Sequence, residues 1–357
     1  MALPVSTKLL RLRCRIGKTW AGATGKDPNV DMSGYIPFYK NLWQDAARRI
    51  GGGFEELAPG YWRVTVGDRS TMIHNYKVGI DDPVTFHIAG NKPLCYRLMR
   101  EEGLSVPEHL SFRLNDLEAV RRFMEKREGL FVVKPAVGTA GSRGVTTHIA
   151  GFTECRHASA LASLFSPDLL IETHVPGESY RLLVLDGRLL HAVRRRGVRV
   201  KGDGKCSVRR LMESVAGLGN DVGTMLERDV KSLLAIHGYT LDSIPGDGED
   251  LLVASRNGAS RSHVEVRTSY DEDVTGRIGD DLRDQAVRAA RVIGSRFAGV
   301  DVITGDPSIP LKRSGGAIHE INTTPGLHNH YNLSGDSGNG IPAAVPVLKY
   351  LLGISAP

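Results

Sequence analysis

Hydrophobic and polar positions alternate with a period of two along several short stretches and recur near every 3.6 residues along others. Leu10, Leu12, Cys14 and Ile16 alternate with Arg11, Arg13 and Arg15, which predicts a strand over residues 10–16. A helix is expected over 38–50, stopped by Gly51-Gly52-Gly53. Strands are expected at 61–66 and 72–76 around the turn Gly67-Asp68. The spacing predicts a helix over 91–102 that ends at Gly103, and another after Asn115, where Glu118 completes a capping-box pattern. Apolar runs at 130–134 and 169–172 read as buried strands. Residues 180–185 and 189–194 flank Asp186-Gly187, the two-residue turn chemistry of a hairpin. Helices are expected at 208–215, 225–236 and 281–297, the last with Leu282, Ala286, Ala289, Ile293 and Phe297 on one face. Strands at 299–304 and 317–322, a glycine-rich loop and a short helix close the chain.

Strands and helices mix without regular βα alternation and without an internal repeat, so the expected fold class is α+β. A chain of 357 residues accommodates two or three domains. The expected division is an N-terminal region at 1–90, a central part at 91–170 and a C-terminal part at 171–357. No apolar stretch reaches the roughly 18–20 residues that span a bilayer, and the N-terminus lacks the unbroken apolar run of a signal peptide. The reading is therefore a cytoplasmic protein without a membrane partner. The four cysteines lie far apart and form no C-x-x-C pair, which points away from a disulfide framework or a zinc cluster. A net charge of +6 is small for a dedicated nucleic-acid binder, and the basic run from Arg194 to Lys205 carries no interleaved aromatic rings. Glycine, at 41 residues, is over-represented and gathers in loops beside apolar strands, where backbone amides can meet phosphates.

Three stretches carry candidate chemistry. The first pairs Ala298-Gly-Val-Asp-Val-Ile303 with Ala317-Ile-His-Glu-Ile-Asn322. On strands, Asp301 faces away from Val300 and Val302, and Glu320 and Asn322 face away from His319 and Ile321. If the strands are neighbours, two carboxylates and an amide oxygen converge, a donor set for a hard ion such as Mg²⁺. Taken alone, the same acids suit a solvated face. The second is Phe131-Val-Val-Lys-Pro135 followed by the loop with Gly138, Thr139, Gly141, Ser142 and Gly144. Its amides and hydroxyls, with Lys134, can cradle a triphosphate, or the loop is a plain hairpin connection. No Walker sequence occurs in the chain. The third is Ile171-Glu-Thr-His-Val-Pro-Gly-Glu-Ser-Tyr-Arg181, where the backbone leaving a strand can read an adenine edge or simply connect two strands.

Taken in order, these elements resemble the ATP-grasp superfamily. Asn91-Lys92, Val132-Val-Lys-Pro135, Ser179-Tyr-Arg-Leu-Leu-Val184, Gly202-Asp-Gly-Lys205, Leu241-Asp-Ser-Ile-Pro245, Ala298-Gly-Val-Asp301 and Glu320-Ile-Asn-Thr-Thr-Pro-Gly326 together look like the ATP-grasp half of cyanophycin synthetases, and more distantly like D-alanine–D-alanine ligases. The likeness runs over about residues 54–350. The Mur-ligase-like half that follows in cyanophycin synthetases does not follow here, Ser179 stands in place of the usual acidic residue, and Asn91 in place of aspartate.

The resemblance implies an ATP-grasp fold with the nucleotide held between two α+β subdomains. It implies that Lys92 and Lys134 bind α- and β-phosphates, that the loop with Gly138, Gly141, Ser142 and Gly144 closes over them, and that Glu172, Thr173 and Val175 border the adenine with Glu178 near the ribose. Asp301, Glu320 and Asn322 are implied to hold Mg²⁺, with Mn²⁺ as an alternative. In the D-alanine ligases an arginine lies two residues before the metal-binding aspartate; here that position is Gly299. Arg181 and Arg196 are the expected catalytic cations, and Arg195, Lys205, Thr324, Gly326 and His328 the expected substrate-binding residues. The implied reaction is ATP-dependent joining of a carboxylate and an amine through an acyl phosphate. The implied substrates are amino acids or peptides, at least one of them anionic, and related ligases form homo-oligomers. The alternatives are an ATP-grasp phosphotransferase and a non-catalytic nucleotide-binding protein. The remaining histidines read as surface or core groups.

Overall fold

The computed structural model describes residues 35–138, 144–195, 198–214, 238–254, 271–331 and 342–354, together with 8, 9, 11, 12, 15, 230, 234, 235 and 333. The strand expected at 10–16 is not extended where it is described: Lys8, Leu9, Arg11, Leu12 and Arg15 are helical. Leu9, Leu12 and Ile16 also recur at i, i+3 and i+7, so the same residues satisfy both periods.

A helix spans Ile36–Arg49 and buries Tyr39, Leu42, Trp43, Ala46 and Ala47 along one stripe. Four strands follow: β1 (Gly53–Ala58), β2 (Tyr61–Val66), β3 (Arg69–His74) and β4 (Lys77–Val78), an antiparallel sheet in sequence order. β1 and the short helix Pro83–Ala89 were not anticipated. Among β1 residues only Phe54 and Leu57 are large and apolar, and β1 is mostly exposed, so its alternation signal is weak. The helix Lys92–Glu101 starts where the Asn91 carboxamide accepts a hydrogen bond from the Leu94 N–H at 3.1 Å. Its buried face is Lys92, Cys95, Tyr96 and Met99.

β5 (His109–Phe112), β6 (Phe131–Pro135), β7 (Thr146–Ile149) and β8 (Leu169–Thr173) form a second antiparallel sheet in the order β5-β8-β6-β7. The helix before β6 spans Leu117–Glu125, without the expected Asn115 cap. Instead the Asp116 carboxylate accepts from the Arg113 N–H at 3.2 Å, which turns the chain through a short 3₁₀ segment first. β9 (Glu178–Leu185) and β10 (Arg188–Arg195) make the expected hairpin. Asp186 (φ 45°) and Gly187 (φ 75°) both take the left-handed conformation that a type I′ turn requires. β11 (Val198–Lys201) and β12 (Asp250–Ala254) pair as a two-stranded sheet, and the helix Val208–Glu213 lies between them in sequence. Of the helix expected at 225–236, the described positions 230, 234 and 235 are helical; the rest lies outside the described residues.

β13 (Glu272–Asp273), β14 (Phe297–Thr304) and β15 (Ala317–Thr323) complete a five-stranded antiparallel sheet, β13-β10-β9-β14-β15. The helix before β14 covers Asp280–Val292 and does not run on to Phe297. Gly294 (φ +81°) ends it in the left-handed conformation, and Phe297 becomes the first residue of β14. A final helix spans Ala344–Leu351, and no described helix is long and apolar enough to cross a membrane.

The described contacts group the chain into two compact units that interleave in sequence, where the sequence suggested three consecutive segments. One, the Lys134 unit, comprises residues 1–30, 107–174 and 196–270; the other, the Asp301 unit, comprises 31–106, 175–195 and 271–357. The Lys134 unit has a core of Phe112, Val120, Phe131, Val133, Leu169 and Ile171 with their neighbours, and a second cluster around Val200, Val208, Leu234 and Leu251. In the Asp301 unit Trp43, Trp62, Leu183, Phe297 and Leu348 lie in one apolar cluster. The architecture is α+β, as expected.

Candidate active site

The sheet register of the Asp301 unit decides which side chains share a face. Asp301 on β14 pairs with Glu320 on β15 and with Arg181 on β9, while Gly299 pairs with Asn322. Ser179 pairs with Arg195 of β10. Cross-strand partners point to the same side, so Arg181, Arg195, Asp301, Glu320 and Asn322 occupy one face, as alternation suggested for the three oxygen donors. Their apolar neighbours Val300, Val302 and Ile321 are buried.

Asp301 is 1% exposed and Arg181 7%. The Arg181 guanidinium grips the Asp301 carboxylate with two nitrogens, Nε on Oδ1 and Nη2 on Oδ2 at 2.9 Å. Arg195 Nη1 stands 3.6 Å from Oδ1, and Asn322 Nδ2 donates to Oδ2 at 3.3 Å. Lys92, at the first turn of its helix, places Nζ 3.1 Å from Glu320 Oε1. Three cations thus face two carboxylates, a surface electrostatically prepared for an anionic ligand.

Gly299 explains how Arg181 reaches Asp301. A Cβ at position 299 would lie 2.8 Å from Arg181 Nη1, 2.9 Å from Pro325 Cβ and 3.0 Å from Arg181 Cδ. The missing side chain is the channel through which the arginine of the neighbouring strand runs. Gly299→Ala is expected to push the guanidinium off Asp301 and to cost about 1–3 kcal/mol; an unchanged urea midpoint would contradict this packing.

The donors present fit a hard divalent ion: carboxylate and amide oxygens at adjacent register positions, with Arg181 as the cation now on Asp301. Among the described residues no group of three or more His, Cys, Asp or Glu side chains gathers. An ion held on this face would draw on two carboxylates, an amide and oxygens of its ligand.

The other expected residues fall as follows. In the Lys134 unit, Lys134 and Glu172 form a buried ion pair at 2.8 Å across β6 and β8. Thr173 ends β8, and its N–H donates to Glu108 O at 2.9 Å; Val175 follows β8 in sequence and belongs to the Asp301 unit. Gly138 and Gly144 take positive φ at either end of the loop, whereas Gly141, Ser142 and Arg196 lie outside the described residues. Lys205 sits in a turn of the Lys134 unit whose amides, its own included, donate to Asp203, so it is not among the residues gathered in the other unit. Glu178 lies 3.1 Å from Arg194 and, by alternation, on the sheet face opposite to Arg181. Thr324 follows β15 with φ 41°, a strained value for a β-branched residue. The His328 ring packs against Gly326, and its Nδ1 lies 2.6 Å from the Tyr39 hydroxyl.

One arrangement was missed from sequence, where the remaining histidines read as surface or core groups. His191 on β10 and His330, in the 3₁₀ turn Leu327–His330, meet through their Nδ1 atoms at 2.9 Å. His191 Nε2 stands 3.4 Å from Asp273 Oδ1. No spacing signal could have linked positions 191, 273 and 330; they meet only because β10 pairs with β13 and the turn after β15 folds against β10.

No family model matches the chain. It is 29% identical over 348 residues to a cyanophycin synthetase of Nostoc sp., covering 90% of this chain and 37% of that protein. A glutathione biosynthesis bifunctional protein of Listeria innocua is 29% identical over 304 residues, covering 81% of this chain and 38% of the relative. The chain thus spans 37–38% of the length of these curated relatives. Among solved structures, a bifunctional glutathione synthetase from Pasteurella multocida aligns with a TM-score of 0.56 at 19% identity, over 89% of this chain and 45% of that one, a likeness of fold. In its α+β architecture, in the motif order along the chain and in these relatives, the protein is similar to members of the ATP-grasp superfamily.

Proposed function

We propose that the chain is an ATP-dependent carboxylate–amine ligase that forms an amide or peptide bond through an acyl phosphate and releases ADP and phosphate. The observation that carries the reading is the cation-lined face around Asp301, where Arg181, Arg195 and Lys92 surround Asp301, Glu320 and Asn322. The names of the relatives, a cyanophycin synthetase and a glutathione biosynthesis protein, support it.

A carboxylate repels nucleophiles and holds a poor leaving group; phosphorylation removes both obstacles. Phosphoryl transfer spreads charge over oxygens, so cations and alignment do the catalytic work and no covalent protein nucleophile is required. Asp301, Glu320 and Asn322 would hold Mg²⁺, or Mn²⁺ in its place, which would supply charge neutralisation for phosphoryl transfer. Lys92 and Lys134 bind phosphate oxygens. Arg181, Arg195 and Arg196 offer guanidinium N–H groups to the substrate carboxylate and to the anion that develops on it. Glu172, Thr173 and Val175 border the adenine, and the loop from Gly138 to Gly144 excludes water from the acyl phosphate; Glu178, on the other face of the sheet beside Arg194, is not retained at the ribose. Thr324, Gly326, His328 and Lys205 contribute to substrate binding. The substrates are amino acids or short peptides, at least one carrying an extra negative charge, and the setting is the cytoplasm.

A panel of amino acids and peptides with ATP and Mg²⁺, scored for phosphate release and for product mass, tests the reading. The expected result is release that needs both an acid and an amine, and Glu320→Gln is expected to slow it by about 10²-fold. A stable phosphorylated product without free phosphate would turn the reading to phosphotransfer. ATP binding without turnover across the panel would turn it to nucleotide binding alone.

A further inference from the structure

The ligase chemistry above needs a proton acceptor, because an amine substrate arrives as an unreactive ammonium. Resting on that ligase reading, we propose that His330 Nε2 takes the proton of the attacking amine, backed by a relay through His191 to Asp273.

The hydrogen bonds fix the tautomers. Burial alone would raise the Asp273 carboxyl, yet hydrogen bonds from the Thr275 hydroxyl and amide, with His191, outweigh it and hold it below its usual range. Facing an ionised carboxylate, His191 Nε2 must carry its hydrogen toward Oδ1. His191 Nδ1 is then an acceptor, so the 2.9 Å contact is made by the N–H of His330 Nδ1. That leaves the lone pair of His330 on Nε2. This atom is buried and has no hydrogen-bond partner among the described residues, and the His330 residue is 1% exposed. A buried acceptor without a donor is costly, and in native proteins such a group has a reason, among them a catalytic role or a bound water, ion or ligand.

The charged groups that face His330 are Arg181 from β9 and Arg195 from β10; the rings of His191 from β10 and His328 from its own turn lie beside it, with Asp273 beyond His191. Burial first, then the positive potential of this surrounding, lowers its basicity well below that of an ordinary histidine, so the ring is in its neutral, accepting form at neutral pH. Arg181 and Arg195 are the same groups assigned to the anionic substrate. As their charge is offset by carboxylate and phosphate, His330 becomes more basic at the moment an amine is delivered.

The step balances as follows. The ammonium gives one proton to His330 Nε2, and the imidazolium that forms is offset by Asp273 through His191. The amine then forms the C–N bond, the C–O bond to phosphate breaks, and the second proton leaves with the phosphate as hydrogen phosphate.

Hydroxylamine separates this role from others, since it is already unprotonated near neutral pH and traps an acyl phosphate without a base. The full chain is incubated with ATP, Mg²⁺ and the acid found in the panel, with either hydroxylamine or the natural amine. His330→Asn is expected to lower amide formation by about 10²-fold while hydroxamate formation holds, and its amide rate should climb as pH rises toward the amine's own pKa. Asp273→Asn, at the exposed end of the relay, spares the core and should lower amide but not hydroxamate formation. Equal loss of both products, or loss of neither, in these two variants overturns the proposal. Absence of hydroxamate from the unsubstituted chain with every acid instead overturns the ligase reading and this proposal with it.

Discussion

Asp301→Ala is expected to slow ligation by about 10²–10³-fold and to destabilise the Asp301 unit by about 3–5 kcal/mol. Both effects come from one geometry. Asp301 is almost wholly buried and held bidentately by Arg181, itself 7% exposed. Removing the carboxylate leaves a guanidinium in a poorly hydrated place with its main counter-charge gone, and removes a central oxygen donor from the face. The two effects can be separated. The double variant Asp301→Leu with Arg181→Met replaces the pair by apolar groups, which is often neutral for stability. It should therefore regain most of the lost stability in urea unfolding while remaining inactive in phosphate release. A single variant as stable as the parent would mean that the pair is well solvated, and full turnover by Asp301→Ala would end the ligase reading.

Lys134→Met carries the second large effect. Lys134 and Glu172 are paired at 2.8 Å on adjacent strands, with side chains 6% and 7% exposed. The substitution keeps the length of the aliphatic stem and deletes the ammonium, leaving the Glu172 carboxylate buried beside a thioether. A loss of about 3 kcal/mol is expected in denaturant unfolding. Calorimetric ATP affinity is expected to fall by about 10–100-fold, the worth of one hydrogen bond to a charged group. Glu172→Gln provides the contrast: it retains an acceptor for Lys134 and should lose less stability. Unaltered ATP affinity in Lys134→Met would remove Lys134 from the nucleotide site.

Much of the local structure was legible because its causes are local. Asp186-Gly187 between two apolar runs produced the β9–β10 hairpin, and Asn91 before Lys92-Pro93 marked the start of a helix with its side chain as the cap. Where two periods fitted one segment, or where a terminating glycine was overlooked, the reading failed. Residues near position 12 satisfied both strand and helix spacing, and Gly294 ended a helix that periodicity alone carried to Phe297.

The sequence by itself determined the class of the fold, the order of its motifs and the three oxygen-bearing residues of the acidic strands, because strand alternation depends only on neighbours along the chain. Tertiary structure alone decided that Arg181 meets Asp301, 120 residues away, that Lys92 meets Glu320, and that Asp273, His191 and His330 align. Those contacts depend on which strands pair and in what register. Register is fixed by burying one face of a sheet assembled from distant segments, a global balance that no window of sequence contains.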